Sequence, residues 1–232
     1  MNSNKAVLRA ALPLTIPVFT GFIVLGAAYG ILMDSKGFSL FWILFTSLFI
    51  YAGSMQFVAV ALISAGFDPI GAFFMTLMVN ARHLFYGISM LGKFKGIGRI
   101  KPYMIFSLTD ETFSLLCSVE PPEGIDRKRF MFFISVFIQG YWVTGSLLGG
   151  VLGSMFKFNT KGIDFVLTAL FVVIFINQWQ STKNHIPALI GILGAILCRI
   201  IFGPADFIIP SMIFILLMVT ILKRPMERRG FK

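Results

Sequence analysis

Residues 12–33 read LPLTIPVFTGFIVLGAAYGILM, a run of 22 residues without a charged side chain. A helix needs about 20 apolar residues to cross the roughly 30 Å hydrocarbon core of a bilayer. Lys5 and Arg9 precede the run, as basic residues do in a secretory signal, but the run is longer than the apolar core of a signal peptide. We therefore expect it to be an uncleaved first transmembrane helix.

Seven further apolar segments follow the first one. They cover residues 38–66, 69–92, 103–119, 130–156, 162–181, 186–202 and 207–222. Short loops connect them, and a helix satisfies its own backbone hydrogen bonds in lipid. The predicted fold is all-α, a polytopic transmembrane helical bundle that forms a single integral membrane domain over residues 1–232.

The amino-acid composition is typical of an integral membrane protein. Of the 232 residues, 57% are hydrophobic and 13% are charged, about half the charged share of a soluble domain. Soluble enzymes and disordered chains are excluded on this ground. The formal net charge is +10, but most basic residues flank apolar runs, so they indicate topology and contact with anionic lipid rather than nucleic acid.

The polar stretch at residues 120–129 divides the chain into halves that resemble each other weakly. In both halves a Thr-x-Leu-Phe motif is followed after seven residues by a glutamine and an aromatic residue, which places Gln56 and Gln178 at equivalent positions. A pair of glycines four residues apart precedes the motif in each half. We interpret the halves as two internal repeats, at about 12–119 and 130–222, and such repeats are typical of secondary transporters.

Loop charges distinguish two topologies. If all eight segments cross and the N-terminus is inside, 11 Lys and Arg lie inside and 7 outside; if segments 38–66 and 162–181 enter and leave on one side, the numbers are 14 and 4. The positive-inside rule favours the second arrangement, which has six crossings and antiparallel halves. Ala52-Gly-Ser54 is the expected break in the first of these segments. We expect segments 2 and 6 to be broken or re-entrant, with kinked full crossings as the alternative.

Charged residues stand in the middle of two neighbouring apolar segments. Asn80-Ala-Arg-His83 lies within 69–92, and Thr109-Asp-Glu-Thr112 lies within 103–119. If the two segments form a hairpin about residue 97, Arg82 is at nearly the same depth as Asp110 and Glu111. A central arginine in a membrane needs a partner or a water-filled cavity, so we expect an Arg–carboxylate pair with His83 beside it.

Two interpretations of these polar residues remain open. The pair pins two helices together, or the cluster of Asn80, Arg82, His83 and the carboxylates binds a substrate and a proton. Arginine binds carboxylates, an acidic residue holds an ammonium group or a proton, and histidine titrates near neutral pH, which suits a zwitterionic amino acid moved against protons. Gln56 and Gln178 either join helices or bind the polar end of the substrate. No P-loop, zinc-protease or serine-hydrolase motif occurs, so neither an enzyme nor a cofactor is expected.

The motifs together resemble the AzlC-type large subunits of bacterial branched-chain amino acid exporters. The resemblance extends over about residues 10–220, and the residues that carry it are Ala52-Gly-Ser-Met-Gln-Phe57, Asn80-Ala-Arg-His83, Tyr86-Gly87, Leu108-Thr-Asp-Glu-Thr-Phe113 and Gln178-Trp179. It implies a multi-pass exporter of valine, leucine, isoleucine or related compounds in the bacterial inner membrane. It also implies a companion, a small AzlD-type membrane subunit.

The function expected from residues and resemblance is proton-coupled export of branched-chain amino acids. Arg82 would hold the substrate carboxylate or its own acidic partner, Asp110 or Glu111 would hold the proton or the ammonium group, and His83 would assist proton transfer. Two other classes are compatible with the sequence. One is a channel or scaffold subunit whose buried charges are structural, and the other is an intramembrane enzyme.

Overall fold

The computed structural model describes residues 4–66, 68–156 and 184–228. Between the last two ranges it describes Phe165, Thr168, Ala169, Val172, Phe175, Ile176, Trp179 and Gln180, all of them helical. The chain divides into two compact units, residues 1–167 and 168–232. Most of the expected sixth segment, including Gln178, lies outside the described residues.

The described residues form helices and no strands, which confirms the all-α prediction for this part of the chain. In the first unit the helices are α1 (Asn4–Ser35), α2 (Leu40–Phe49), α3 (Gly53–Ala65), α4 (Pro69–Met90), α5 (Lys101–Phe106), α6 (Asp110–Ser118) and α7 (Arg127–Met155), with a 3-10 turn at Gly98–Ile100. In the second unit they are α8 (Ile186–Asp206) and α9 (Ile208–Arg228). Among the described residues, α1, α7 and residues 186–203 of α8 are long and apolar enough to cross a membrane.

Helices α1 and α7 form the centre of the first unit and touch through small residues. A Cβ on Gly30 would collide with the carbonyl oxygen of Ser146, and a Cβ on Gly149 would collide with the carbonyl oxygen of Ala27. A Cβ on Gly26 would lie 2.9 Å from the backbone nitrogen of Ser146. Because lipid gives helices little hydrophobic reason to associate, such close backbone packing is a main source of their attraction.

The contacts between α1 and α7 show that the two helices run parallel. Near their N-termini Arg129 donates to the Asn4 side chain over 3.2 Å, and further along the hydroxyls of Thr15 and Tyr141 are 2.8 Å apart. At the other end a Cβ on Gly153 would lie 2.9 Å from the Asp34 carboxylate. The expectation of antiparallel halves is therefore wrong for their first helices.

The second expected segment is broken, as predicted, and its two helices form a hairpin. Helix α2 ends at Phe49 and α3 begins at Gly53, with Tyr51 between them at a φ of 43°. Helix α2 runs along α7 toward the N-terminal end of α7. Near its start, Ile43 lies beside Gly150, and near its end, the Leu48 carbonyl accepts a hydrogen bond from the Gln139 side chain. A left-handed residue at the tip reverses the chain because it cannot continue a right-handed helix.

Helix α3 returns along the path of α2. Gln56, in the first turns of α3, accepts a hydrogen bond from the Trp142 ring in the middle of α7. Further along α3, Val60 and Ile63 line the same cavity as Met33, which is close to the C-terminal end of α1. The hairpin therefore starts and ends near the C-terminal end of α1, with its tip at residues 50–52 in the middle of the unit.

The fourth expected segment, residues 103–119, is also broken, which the sequence analysis did not predict. Helix α5 ends at Phe106, and α6 starts after Thr109, whose hydroxyl accepts a hydrogen bond from the Thr112 amide over 3.3 Å. Threonine at the N-cap with two acidic residues in the first turn is a helix start, not a charged insertion into a continuous helix. That pattern was the missed signal.

Helices α5 and α6 form a second hairpin that approaches from the opposite end. Gly98, before α5, faces the Lys128 ammonium at the start of α7, and Tyr103 donates to Gln139 over 2.8 Å. At the end of α6, Lys93 donates to the Leu116 carbonyl over 2.8 Å and forms a 3.0 Å ion pair with Glu120. This pair lowers the pKa of the Glu120 carboxyl below its usual value.

These connections contradict the six-crossing topology. If α1 and α7 both cross the membrane in the same direction, the chain between them must cross it an odd number of times. The six-crossing arrangement has two crossings there, 69–92 and 103–119. The charge count that favoured it treated 103–119 as one continuous segment, whereas the helix is interrupted at residues 107–109.

In the second unit α8 and α9 pack against each other. A Cβ on Gly194 would lie 2.9 Å from the Phe214 ring. Helix α8 is interrupted at Gly203, whose φ is 79°. The two helices cover the expected segments 186–202 and 207–222.

Candidate functional site

The tips of the two hairpins meet in the middle of the first unit. The rings of Tyr51 and Phe106, one from each tip, have centroids 6.0 Å apart. Helices α3 and α6 both start here and run away in opposite directions, so two helix N-termini face one region. Each N-terminus carries about half a positive charge and unpaired backbone N–H groups. The α3 start has no side-chain cap.

Arg82 of α4 connects the two helix starts. Its Nη1 lies 2.8 Å from Oδ2 of Asp110, the first residue of α6, and its Nη2 donates to the Ser54 hydroxyl in the first turn of α3 over 2.7 Å. The expected ion pair between Arg82 and the Thr109–Thr112 motif is thus present, with Asp110 as the partner. Both side chains are partly shielded, with 27% and 23% of their surface exposed.

Tyr86 completes the coordination of Asp110, and the sequence analysis missed this role. The Tyr86 hydroxyl donates to Oδ1 of Asp110 over 2.7 Å, so both carboxylate oxygens have a donor. The Tyr86 ring stacks on Phe113 at a centroid distance of 4.3 Å and 13° between planes. The available signal was spacing, since residues four apart, such as Arg82 and Tyr86, share one face of a helix.

His83 and Asn80 lie beside this pair rather than in it. The Nδ1 atom of His83 is 3.2 Å from the Asn80 carbonyl oxygen, and its ring meets the edge of Tyr86 at 5.5 Å. The Asn80 side-chain oxygen is buried, and no hydrogen-bond partner for it lies among the described residues. His83 therefore touches the group that holds Asp110, but not Asp110 itself.

Glu111 has no basic partner among the described residues. It is close to the Thr109 hydroxyl and to Tyr51, while Arg82 is engaged by Asp110. Two carboxylates thus lie near one guanidinium, which is paired with Asp110 alone. The cluster carries an excess negative charge unless one carboxyl is protonated or a further cation is present.

Gln56 faces away from this cluster. Its Oε1 accepts from the Trp142 ring nitrogen over 3.0 Å, and the residue is 1% exposed. Ser54 and Gln56 are two residues apart on α3, about 200° around the helix axis. The first turns of α3 therefore carry Ser54 toward Arg82 and Gln56 toward α1 and α7. The equivalence of Gln56 and Gln178 stays a prediction, since Gln178 is outside the described residues.

The chemistry available at the hairpin tips is the binding of charge and the exchange of protons. Within the described ranges no group of three or more His, Cys, Asp or Glu side chains is arranged to hold a metal ion. The arrangement offers a guanidinium, two carboxyls, a phenol and two helix starts. Discontinuous helices with N-termini at mid-membrane depth are the usual substrate-binding construction of transporters.

Residues 17–156, from α1 through α7, match the family model described as AzlC protein. This chain belongs to the AzlC family. It is 50% identical over 223 residues to the "Branched-chain amino acid transport protein AzlC" of Bacillus subtilis, covering 96% of this chain and 88% of that one.

More distant members of the AzlC family also align over most of the chain. An "Uncharacterized membrane protein" of Helicobacter pylori is 40% identical over 219 residues, covering 94% of this chain and 96% of that one. The "Inner membrane protein YgaZ" of Escherichia coli is 27% identical over 192 residues, 78% of each chain. No solved structure matches the chain. The family match encloses both hairpins and the Arg82–Asp110 pair.

Proposed function

We propose that this AzlC-family chain exports branched-chain amino acids across the bacterial inner membrane in exchange for protons. The transported class follows the name of the Bacillus subtilis relative, and the membrane follows the name of the Escherichia coli relative. The observation that carries the proposal is Arg82, which joins the starts of two half-length helices and pairs with Asp110. The companion is a small AzlD-type membrane subunit, as the resemblance implies.

The proposed topology has three crossings, with two re-entrant hairpins between them. Two crossings are α1 and α7, and the third is α4, whose 22 residues are long enough to span the bilayer but which is less apolar because it carries Asn80, Arg82 and His83. Nine basic residues lie toward the N-terminal ends of α1 and α7, and Lys36 alone lies toward the other end among residues 4–156. The nine are Lys5, Arg9, Lys93, Lys95, Arg99, Lys101, Arg127, Lys128 and Arg129. By the positive-inside rule the N-terminus is cytoplasmic. The α2–α3 hairpin then enters from outside and the α5–α6 hairpin enters from the cytoplasm.

Glu111 is the proposed proton carrier, in preference to Asp110. Both carboxylate oxygens of Asp110 already have a donor, one from a guanidinium and one from a phenol. Glu111 is next to the same cluster and has no cation of its own within the described part of the chain. A carboxyl in this position gains most by binding a proton, because an unpaired charge is costly at low dielectric.

Helix α3 connects the proton site to the substrate in this proposal. Its Ser54 is bonded to Arg82 on one side, and its Gln56 faces the opposite side, where we place the polar end of the substrate. A change of charge on Glu111 alters the electric field at Arg82 and therefore the strength of its hydrogen bond to Ser54. When this hydrogen bond weakens or strengthens, the α2–α3 hairpin moves. The movement opens the binding site toward the outside, where the substrate is released.

Flux in liposomes tests the proposal. The full chain, reconstituted with its small subunit, is given an inside-acidic pH gradient, and entry of labelled leucine is measured. We expect gradient-driven uptake with the wild-type chain. Glu111→Gln should lose that uptake yet keep leucine–leucine exchange, because exchange moves no net proton.

The matched control is Glu123→Gln, the same substitution in the exposed 120–126 loop, which should keep both activities. A wild-type chain that moves no leucine would refute the transport function. Gradient-driven uptake by Glu111→Gln at the wild-type rate would refute the proton role of this residue and leave transport itself standing.

A further inference from the structure

A cavity of about 320 Å³ lies between α1 and the α2–α3 hairpin. Its wall is almost entirely apolar and includes Met33, Ala59, Val60 and Ile63. The size is at the lower end of the range for small-molecule pockets, about 300–1,000 Å³, which suits a ligand as small as an amino acid. It is separated from the Arg82–Asp110 pair by helix α3.

The polar atoms of the cavity are concentrated at its inner end. The Tyr29 and Thr46 hydroxyls are 2.8 Å apart, and Thr46 also lies 2.8 Å from the Trp42 carbonyl oxygen. Thr46 therefore donates to the backbone, and Tyr29 donates to Thr46. Neither hydroxyl therefore keeps a free hydrogen for a ligand.

Gln56, at the same end, keeps an unused donor. Its oxygen is occupied by Trp142, and its buried Nε2 atom lies near the Tyr29 hydroxyl but makes no hydrogen bond of good geometry with any described residue. A buried N–H group without an acceptor costs free energy, and natural structures seldom leave one unpaired. An acceptor oxygen on a ligand would satisfy it.

We propose that this cavity is the subsite for the aliphatic side chain of the substrate, with Gln56 Nε2 donating to an oxygen of the substrate's carboxylate. The inference rests on the proposed transport function and adds the part of the chain that sets selectivity. The carboxylate lies by the uncapped start of α3, whose N–H groups also favour an anion. The branched side chain extends along Ala59, Val60 and Ile63 toward the outer end of α1.

The size of the cavity should decide which amino acids compete. Ala59 and Ile63 line it from α3, while Ala61, between them, is exposed and outside the lining. Ala59→Leu narrows the cavity, and Ile63→Ala widens it. Ala61→Leu is the control, because it adds the same side-chain volume as Ala59→Leu to the same helix but outside the cavity. One methylene in such a pocket changes selectivity about 10–200-fold.

The experiment measures leucine counterflow in liposomes and its competition by unlabelled leucine, alanine and phenylalanine. With Ala59→Leu we expect the advantage of leucine over alanine to fall at least about tenfold. With Ile63→Ala we expect phenylalanine to gain on leucine by a similar factor. Ala61→Leu should keep the wild-type ranking.

The outcomes separate the inference from the function it rests on. An unchanged ranking in both Ala59→Leu and Ile63→Ala, with active protein, overturns the subsite while transport stands. An equal loss for all competitors in Ala59→Leu and Ala61→Leu also overturns it. If Ala59→Leu does not fold, Ile63→Ala decides, since Ile63 is 51% exposed and tolerates truncation. A wild-type chain without leucine counterflow refutes both proposals.

Discussion

The α1–α7 contact predicts that alanine at Gly30 is far more harmful than alanine at Gly21 on the same helix. At Gly30 the added Cβ would collide with the Ser146 carbonyl oxygen and lie 2.5 Å from the Gly150 nitrogen. Ordinary carbon contacts begin near 3.5 Å, so the helix axes must separate by at least about 1 Å, which forfeits a quarter to a half or more of the contact attraction along the seam. Overpacking of this kind costs about 1–3 kcal/mol.

Gly21→Ala is the matched control, because nothing lies within 4 Å of a Cβ there. Both substitutions gain about 1 kcal/mol of helix propensity, which cancels in the comparison, so the two variants should differ by the overpacking cost, about 1–3 kcal/mol in free energy of unfolding. Reversible unfolding in sodium dodecyl sulfate, followed by circular dichroism, measures the difference. Equal stability of the two variants would refute the close parallel contact of α1 and α7.

Two further predictions concern the charge cluster and the topology. If the Arg82–Asp110 pair only stabilises the fold, the double variant Arg82→Gln with Asp110→Asn restores both folding and proton-driven flux, because only an unpaired charge is harmful. The proposed function predicts that the double variant folds but has no proton-driven flux. Leucine uptake in liposomes measures the flux. In a chain without Cys117 and Cys198, an impermeant thiol reagent outside the cell should label Lys36→Cys and Asp68→Cys but not Glu123→Cys. Labelling of Glu123→Cys from outside would restore the six-crossing topology, and protection of Asp68→Cys would favour eight full crossings.

Local signals predicted the membrane class and the break in the second segment. The run at residues 12–33 has the length and composition of a spanning helix, and it forms most of α1. The break near Ala52-Gly-Ser54 was placed correctly because small residues interrupt a segment too long for one upright helix. The second break was missed, since Thr109-Asp-Glu-Thr112 was interpreted as charge inside a helix although it has the composition of a helix start.

The direction of α7 relative to α1 could not be predicted from loop charges alone. The count depends on which segments cross, and one unrecognised hairpin reverses the side of every later loop. The glycine pairs at 26–30 and 149–153 indicated close packing, and both helices use them for the contact with each other. Their spacing is the same for parallel and antiparallel packing, so it carries no information on direction.

The helical rise per residue predicted that Arg82 and Asp110 form a pair, but it did not predict which side chains surround that pair. Counting residues from the loop near 97 places charges at one level, whatever else is nearby. It does not show which face of a helix a side chain occupies, so it gave no position for Gln56 relative to Arg82. The structure separates these two residues by α3 and adds Ser54 and Tyr86, whose hydroxyl groups gave no charge signal in the sequence.

Proton movement driven by a leucine gradient shows whether export is coupled to protons. Liposomes containing the reconstituted chain and its small subunit are loaded with leucine and a pH-sensitive dye, then diluted into leucine-free buffer. If leucine leaves in exchange for protons, the lumen acidifies with the wild-type chain and stays at constant pH with Glu111→Gln. Leucine efflux from wild-type liposomes without any change in internal pH would contradict the account.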